Sequence, residues 1–143
     1  MIIENVREYI MSCPELKGKK ININCLGTKL RSFSIDNVEA DNVIKKYCDG
    51  GVLKQAVFTL SVRDRYDDVT GENTYVTSLL EKVEHWIFKQ NMKKILPYFE
   101  SEELIPKSIE VTKSGYLHDT SMSNGRWKLE FRLIYECNAK AWL

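Results

Sequence analysis

The segment that most restricts the fold is residues 127–137, WKLEFRLIYEC, in which large apolar and polar side chains alternate more cleanly than in any other segment. A period of two places successive side chains on opposite faces of a β-strand, so one face of this strand is apolar and the other is charged. The apolar face carries Trp127, Leu129, Phe131, Leu133 and Tyr135. Such a strand has to belong to a sheet that is covered on one side, because the apolar face must be buried against another layer.

A second alternating run follows the turn sequence Asp49-Gly50-Gly51 and predicts a long strand that ends before Asp67, Asp68 and Gly71. Its apolar side chains are Ala56, Phe58, Leu60 and Val62, and the intervening polar ones are Gln55, Thr59, Ser61 and Arg63. Residues 107–119 also resemble a strand. The sequence Ser123-Asn124-Gly125 predicts the hairpin turn between that strand and the one at 127–137, because Asn-Gly tolerates positive φ angles. Residues 39–51 are interpreted as a connection.

Two segments have helical periodicity instead. An apolar stripe from about residue 72 recurs at three- and four-residue steps and comprises Val76, Leu79, Leu80, Val83, Trp86 and Ile87. A shorter stripe before Pro14 comprises Ile2, Ile3, Val6, Tyr9 and Ile10. Residues 21–26 and 32–38 are β-like and predict a hairpin or two adjacent strands. The expected fold is therefore a single α+β domain over residues 1–143. It has an antiparallel or mixed β-sheet, a long central helix packed on one face and a short N-terminal helix.

Charge and cysteine content limit the classes of function. The 21 Lys and Arg residues nearly balance the 20 Asp and Glu residues, whereas nucleic-acid-binding proteins usually carry a basic stripe. A small nucleic-acid-binding domain would need a basic face assembled in three dimensions, from Lys17, Lys19, Lys20, Lys45 and Lys46. The four cysteines are scattered, which argues against a zinc ligand pair. No apolar run approaches the roughly 20 residues that a membrane span needs, so we expect a soluble, cytosolic protein with free thiols.

The sequence contains no set of residues that predicts catalysis. The two histidines are His85, in the predicted long helix, and His118, near the end of the predicted hairpin. Neither is accompanied by enough ligand or acid-base partners to indicate a metal or catalytic site. The glycine pair precedes a strand, whereas phosphate-binding loops precede a helix. We therefore expect a protein that is not an enzyme and that has no catalytic, cofactor-binding or metal-binding residues.

Several short segments together resemble a known family. They are SFSID, YCDGG followed by QAVF, the RDRY segment, Trp86 within the helix, SGYLHD and GRWKLEFRLIY. These segments are similar to small phage proteins encoded among the head-tail joining genes of phages that infect Gram-positive bacteria, often labelled minor capsid proteins. That family is similar in turn to tail-terminator proteins, and related copies occur in prophages and phage-tail-like bacteriocins. The resemblance runs from about residue 20 to residue 137.

The resemblance implies a structural role in virion assembly. Terminator proteins form a ring, usually of six identical subunits, that caps the tail tube, ends its polymerisation and offers a docking surface to the head or neck. The implied partners are copies of the chain itself, the tail tube protein, and a neck or head-connector protein, or the sheath of a contractile tail. The implied location is the cytoplasm of the bacterial host during assembly and then the virion or tail-like particle. A neck or head-completion protein that bridges connector and tail is the alternative.

Two stretches are expected to form the subunit or tube interface, because Arg and aromatic residues are enriched at protein interfaces. They are the end of the long strand and the end of the predicted hairpin, with Arg63, Arg65, Tyr66, Asp67, Asp68, Tyr116, Leu117, His118 and Met122. A solvated loop of mixed charge is the alternative interpretation of residues 63–68.

Overall fold

The structure is a computed structural model, which describes residues 2–66, 73–121 and 124–138. Its elements in chain order are α1 (Ile2–Met11), a short 3-10 helix (Pro14–Leu16), β1 (Ile21–Ile23), β2 (Ser32–Val38), β3 (Val43–Lys46), β4 (Val52–Arg65), α2 (Thr74–Lys93), β5 (Leu104–Ser121) and β6 (Asn124–Cys137).

The described strands form one mixed sheet in the order β1-β2-β4-β6-β5, and β3 pairs with the first residues of β4. Strand β1 runs parallel to β2, whereas the other pairs are antiparallel. Together with the short helix α1 and the long helix α2, this arrangement confirms the predicted α+β class with a mixed sheet. At the end of the β4-β6 pair that contains Val52 and Cys137, β3 and β5 lie on opposite sides of the pair. They therefore form opposite edges of the sheet there.

The centre of the sheet is the β4-β6 pair, which is in register without a bulge from Val52 opposite Cys137 to Arg65 opposite Asn124. Phe58 lies opposite Phe131, with their ring centroids 5.8 Å apart, and both side chains are fully buried. The alternating apolar residues of both strands thus point into the same core, as the two sequence patterns predicted.

Helix α2 begins where β4 ends, and one side chain links the two elements. The side-chain oxygen of Asn73 accepts a hydrogen bond from the backbone N–H of Val76 at 3.2 Å, which caps the helix. The amide nitrogen of Asn73 donates to the carbonyl oxygen of Arg65 at 2.7 Å. The helix then packs closely over β5, where a side chain on Gly115 would place its Cβ 2.8 Å from Leu80. The buried residues of α2 are Val76, Leu79, Leu80, Val83 and Ile87.

The structure corrects the predicted boundaries in three places. Residues 43–46, interpreted as part of a connection, form β3, and Gly50 in the turn that joins β3 to β4 has φ 91°. Asn124 and Gly125, predicted as turn residues, belong to the β6 ladder opposite Ser121 and Thr120. Residues 122–123, which include the predicted turn residue Ser123, lie outside the described residues.

The strand predicted at residues 107–119 is longer than expected, because β5 starts before Pro106 and continues to Ser121. Proline is tolerated in an edge strand, where its missing N–H costs no ladder hydrogen bond. The register of β5 against β6 shifts at four places, so β5 contains bulges along much of its length. Bulges increase the local twist of a strand. This irregularity was not visible in the residue pattern.

Helix α1 is attached to the segment after α2 through Tyr9, and the buried hydroxyl of Tyr9 makes the stability of the fold depend on pH. The Tyr9 hydroxyl donates to the carbonyl oxygen of Ile95 at 2.8 Å, and burial raises the pKa of Tyr9 to about 12. Since an unfolded tyrosine has a pKa of about 10, the stability contributed by neutral Tyr9 is complete below pH 10. It is lost as the pH rises from about 10 towards 12.

Between pH 8 and pH 11 we expect the free energy of unfolding to fall by about 1–2 kcal/mol more in the wild type than in Tyr9→Phe. Urea unfolding of both proteins at pH 8, 10 and 11 measures the difference. At pH 8 the variant is less stable by about 1 kcal/mol, because it lacks the hydrogen bond to Ile95. Parallel pH curves for the two proteins would contradict the assignment.

Candidate functional site

The two stretches predicted as an interface lie at the same end of the sheet. Arg65, the last residue of β4, is opposite Asn124, and Asn124 is in turn opposite Ser121, the last residue of β5. The ends of β4 and β5 therefore flank the start of β6. We call the surface formed by residues 65–66, 116–121 and 124–126 the strand-end surface.

The arginines at the end of β4 have different environments. The Nε atom of Arg63 donates to the carbonyl oxygen of Gly27 at 2.9 Å and so holds the segment after β1 against the sheet. The side chain of Arg65 is exposed, while its backbone carbonyl accepts from Asn73. Tyr66 is partly buried and packs against the core. Arg65 is consequently the arginine of this pair whose side chain can meet a partner without disturbing the fold.

The end of β5 combines an aromatic pair with an ion pair. The rings of Tyr116 and His118 meet edge to face, with centroids 6.2 Å apart, while Leu117 lies opposite Trp127 and packs against the core. Asp119 and Arg126 form an ion pair across the β5-β6 ladder, in which the Nε atom of Arg126 donates to Asp119 at 2.6 Å.

The hydrogen bond from Arg126 lowers the pKa of Asp119, so the carboxylate stays charged to lower pH than an isolated one. The strand-end surface therefore offers exposed aromatic, cationic and paired ionic groups together. Asp67, Asp68 and Met122, also predicted as contact residues, lie outside the described residues.

A cluster beside the strand-end surface was missed by the sequence interpretation. Asp64 is buried, with 4% of its surface exposed, and its carboxylate lies 3.6 Å from the Nε atom of Arg31. The guanidinium of Arg31 stacks 4.2 Å above the ring of Tyr75, and the Nζ atom of Lys19 lies 5.7 Å from the same ring. These residues are far apart in sequence and carry no shared motif, so no pattern pointed to the cluster. It connects the segment before β2 to the end of β4 and the start of α2.

The lysines of the nucleic-acid alternative lie near both ends of β4. Lys46 lies beside Val52 at the start of β4. Lys19 contacts the ring of Phe33, whose strand partner Val62 is ten residues further along β4. At about 3.3 Å per residue, the two lysine groups are separated by roughly 33 Å along the strand. Lys19 and Lys46 therefore lie near opposite ends of β4.

Comparison with known proteins assigns no family, because no protein-family model and no curated protein matches the chain. Within residues 2–66, 73–121 and 124–138, no three His, Cys, Asp or Glu side chains are grouped so that they could hold a metal ion. None of the described helices is long and apolar enough to cross a membrane. Cys13 and Cys137 are buried as free thiols, and Cys25 and Cys48 are exposed as free thiols.

Proposed function

We propose that this chain is a structural component of a phage tail or phage-tail-like particle. In this role it forms a ring of identical copies that caps the tail tube, ends tube polymerisation and provides the docking surface for head or neck. The observation that carries the proposal is the convergence of two stretches, distant in sequence, on one end of the sheet. The exposed Arg65 ends β4, and the ring pair of Tyr116 and His118 lies near the end of β5, on the other side of β6.

The architecture supports a role in which shape and rigidity matter. The backbone of the strand-end surface is supported by the continuous β4-β6 ladder behind it and by the Asn73 link to α2. Preorganised surfaces lose little conformational entropy on binding. A ring closed by head-to-tail contacts has two different rims. One rim can bind the last subunits of the tube, while the other rim does not bind a further tube subunit.

Removing exposed contact groups at the strand-end surface is expected to weaken tube binding. In Arg65→Ala/His118→Ala two exposed side chains are truncated, while the hydrogen bond of Arg63 and the core contact of Leu117 are kept. Interface truncations of this kind cost about 1 kcal/mol each, or about 2 kcal/mol together, so we expect the affinity for purified tail tubes to fall about 30-fold. Co-sedimentation with tubes measures the affinity. The matched control is Lys93→Ala, an exposed cation at the other end of α2, which should bind like the wild type.

Tube length separates the proposed role from its alternative. Tube subunits polymerised with the wild-type chain should give shorter tubes by electron microscopy than subunits polymerised alone. Binding to tube ends without arrest of growth would instead indicate a neck or head-completion protein. A chain that stays monomeric by native mass spectrometry, alone and with tubes, would overturn the ring.

A further inference from the structure

A groove lies between α2 and β5, on the edge of the sheet formed by β5. Its lining includes Glu81, Glu84, Phe88, Ile109 and Val111. The side-chain oxygen of Asn91 accepts from the backbone N–H of Ile109 at 3.1 Å, which fixes the spacing between helix and strand. We call this feature the α2–β5 groove.

The groove combines an apolar wall with carboxylates that lack partners. Phe88 is 60% exposed although it is aromatic, and it stands beside fully buried Ile109. In the part of the chain that the structure describes, neither Glu81 nor Glu84 makes a hydrogen bond or an ion pair. The third carboxylate, Glu110, is paired with Arg132 at 2.7 Å. The groove thus suits an extended segment in which aliphatic side chains are followed by cationic ones.

Strand β3 has these properties and lies on the opposite edge of the sheet. Its sequence is VIKK, all four residues are exposed, and Val43 and Ile44 are 43% and 45% exposed. Among the described strands, β3 pairs with β4 alone, so its outer edge has unpaired backbone groups. An exposed edge with aliphatic side chains is a ready site for association with another chain.

We propose that β3 of one copy docks in the α2–β5 groove of the next copy. On the docked face of β3, Ile44 covers Phe88 and Lys46 neutralises the carboxylates of Glu81 and Glu84. Lys45 lies on the opposite face of the strand, where its Nζ atom is 5.6 Å from the ring centroid of Tyr47. Glu81, Glu84 and Phe88 follow one another at three- and four-residue steps on one side of α2, over about 10 Å of helix axis. Four residues of β3 also extend about 10 Å. The two surfaces therefore match in length and in chemical type.

This contact deepens the proposed function and rests on its assumption that identical copies associate. It uses two different patches on opposite sides of one molecule, as a head-to-tail ring requires. The strand-end surface is not part of the contact, so it stays available to the tail tube.

Charge reversal with rescue tests the pairing. We expect Lys45→Glu/Lys46→Glu and Glu81→Lys/Glu84→Lys each to raise the subunit dissociation constant at least about 10-fold, because each places like charges together. The combination of all four substitutions should return the constant to within about 3-fold of the wild type. Lys17→Glu/Lys20→Glu makes the same change in net charge as the β3 variant, on exposed residues elsewhere, and should associate normally. Analytical ultracentrifugation at low salt measures the dissociation constants of these variants and the wild type.

Disulfide trapping gives an independent readout in a background with Cys25→Ser/Cys48→Ser. On mild oxidation, Ile44→Cys/Phe88→Cys should yield a ladder of covalent oligomers on non-reducing gels. An equal mixture of the two single variants should stop at dimers. Ile44→Cys/Tyr116→Cys, which joins β3 to the strand-end surface, should remain uncrosslinked. If the wild type is oligomeric but the charge-reversal variants associate normally and the cysteine variant gives no ladder, this contact is overturned and the proposed ring is not. A wild type that is monomeric alone and on tubes overturns both.

Discussion

Replacing Phe131 by alanine is expected to lower the free energy of unfolding by about 4 kcal/mol, because a large aromatic ring is lost from the interior. Phe131 is fully buried at the centre of the β4-β6 pair, opposite Phe58, and its ring lies between the strand layer and the rest of the core. The substitution removes apolar contacts and leaves a cavity, and the continuous β4-β6 ladder beside it limits how far the strands can move to fill it. Urea unfolding monitored by circular dichroism measures the loss.

The matched control is Tyr98→Ala, which removes an aromatic ring from a position that is 77% exposed and lies outside the proposed subunit contact. Surface substitutions usually change stability by less than about 0.5 kcal/mol, so the control should unfold like the wild type. A domain of this size should lose roughly 10–15 °C of melting temperature in Phe131→Ala. Similar losses in the two variants would mean that Phe131 does not occupy the core centre.

The parts of the fold that the sequence predicted are those with strong one-sided burial. Strand β6 alternates over its whole length, because one of its faces is core and the other is charged. The stripe on α2 was visible for the same reason, and five of its six predicted residues are fully or almost fully buried. The sixth, Trp86, is partly buried and lies 5.2 Å from the ring of Tyr9. The residue pattern is sufficient to predict an element where its periodic apolar face packs on a continuous core.

The parts that escaped prediction have no such asymmetry. In β3 all four residues are exposed, so the strand leaves no alternation to detect. The α2–β5 groove depends on the register of a bulged strand against a helix, which local sequence does not encode. The ends of β4 and β5 were named as contact stretches, but their convergence follows from the pairing of both with β6. Strand pairing between distant parts of the sequence determines which residues share a surface. The residue pattern identifies only the separate segments.

The second face of β4 shows a further limit of alternation. Thr59 and Ser61 were assigned to a polar face, yet both are buried, as is Ser34 on β2. The carboxylate of Asp36 accepts a hydrogen bond from the Ser34 hydroxyl at 2.6 Å and another from the Ser61 hydroxyl at 2.7 Å. A polar residue in an alternating strand can thus be buried when a neighbouring strand supplies its partner.

Replacing Asp36 by alanine is therefore expected to cost about 3 kcal/mol, because two buried hydroxyls lose their acceptor at once. Asp36→Asn keeps one acceptor oxygen and should lose less. In a Ser34→Ala/Ser61→Ala background the same Asp36→Ala substitution should cost less than about 1 kcal/mol, since no hydroxyl is then left unsatisfied. Urea unfolding of these variants measures the cost of Asp36→Ala in both backgrounds. An equal cost of Asp36→Ala in both backgrounds would show that the carboxylate stabilises the sheet by some route other than the two serines.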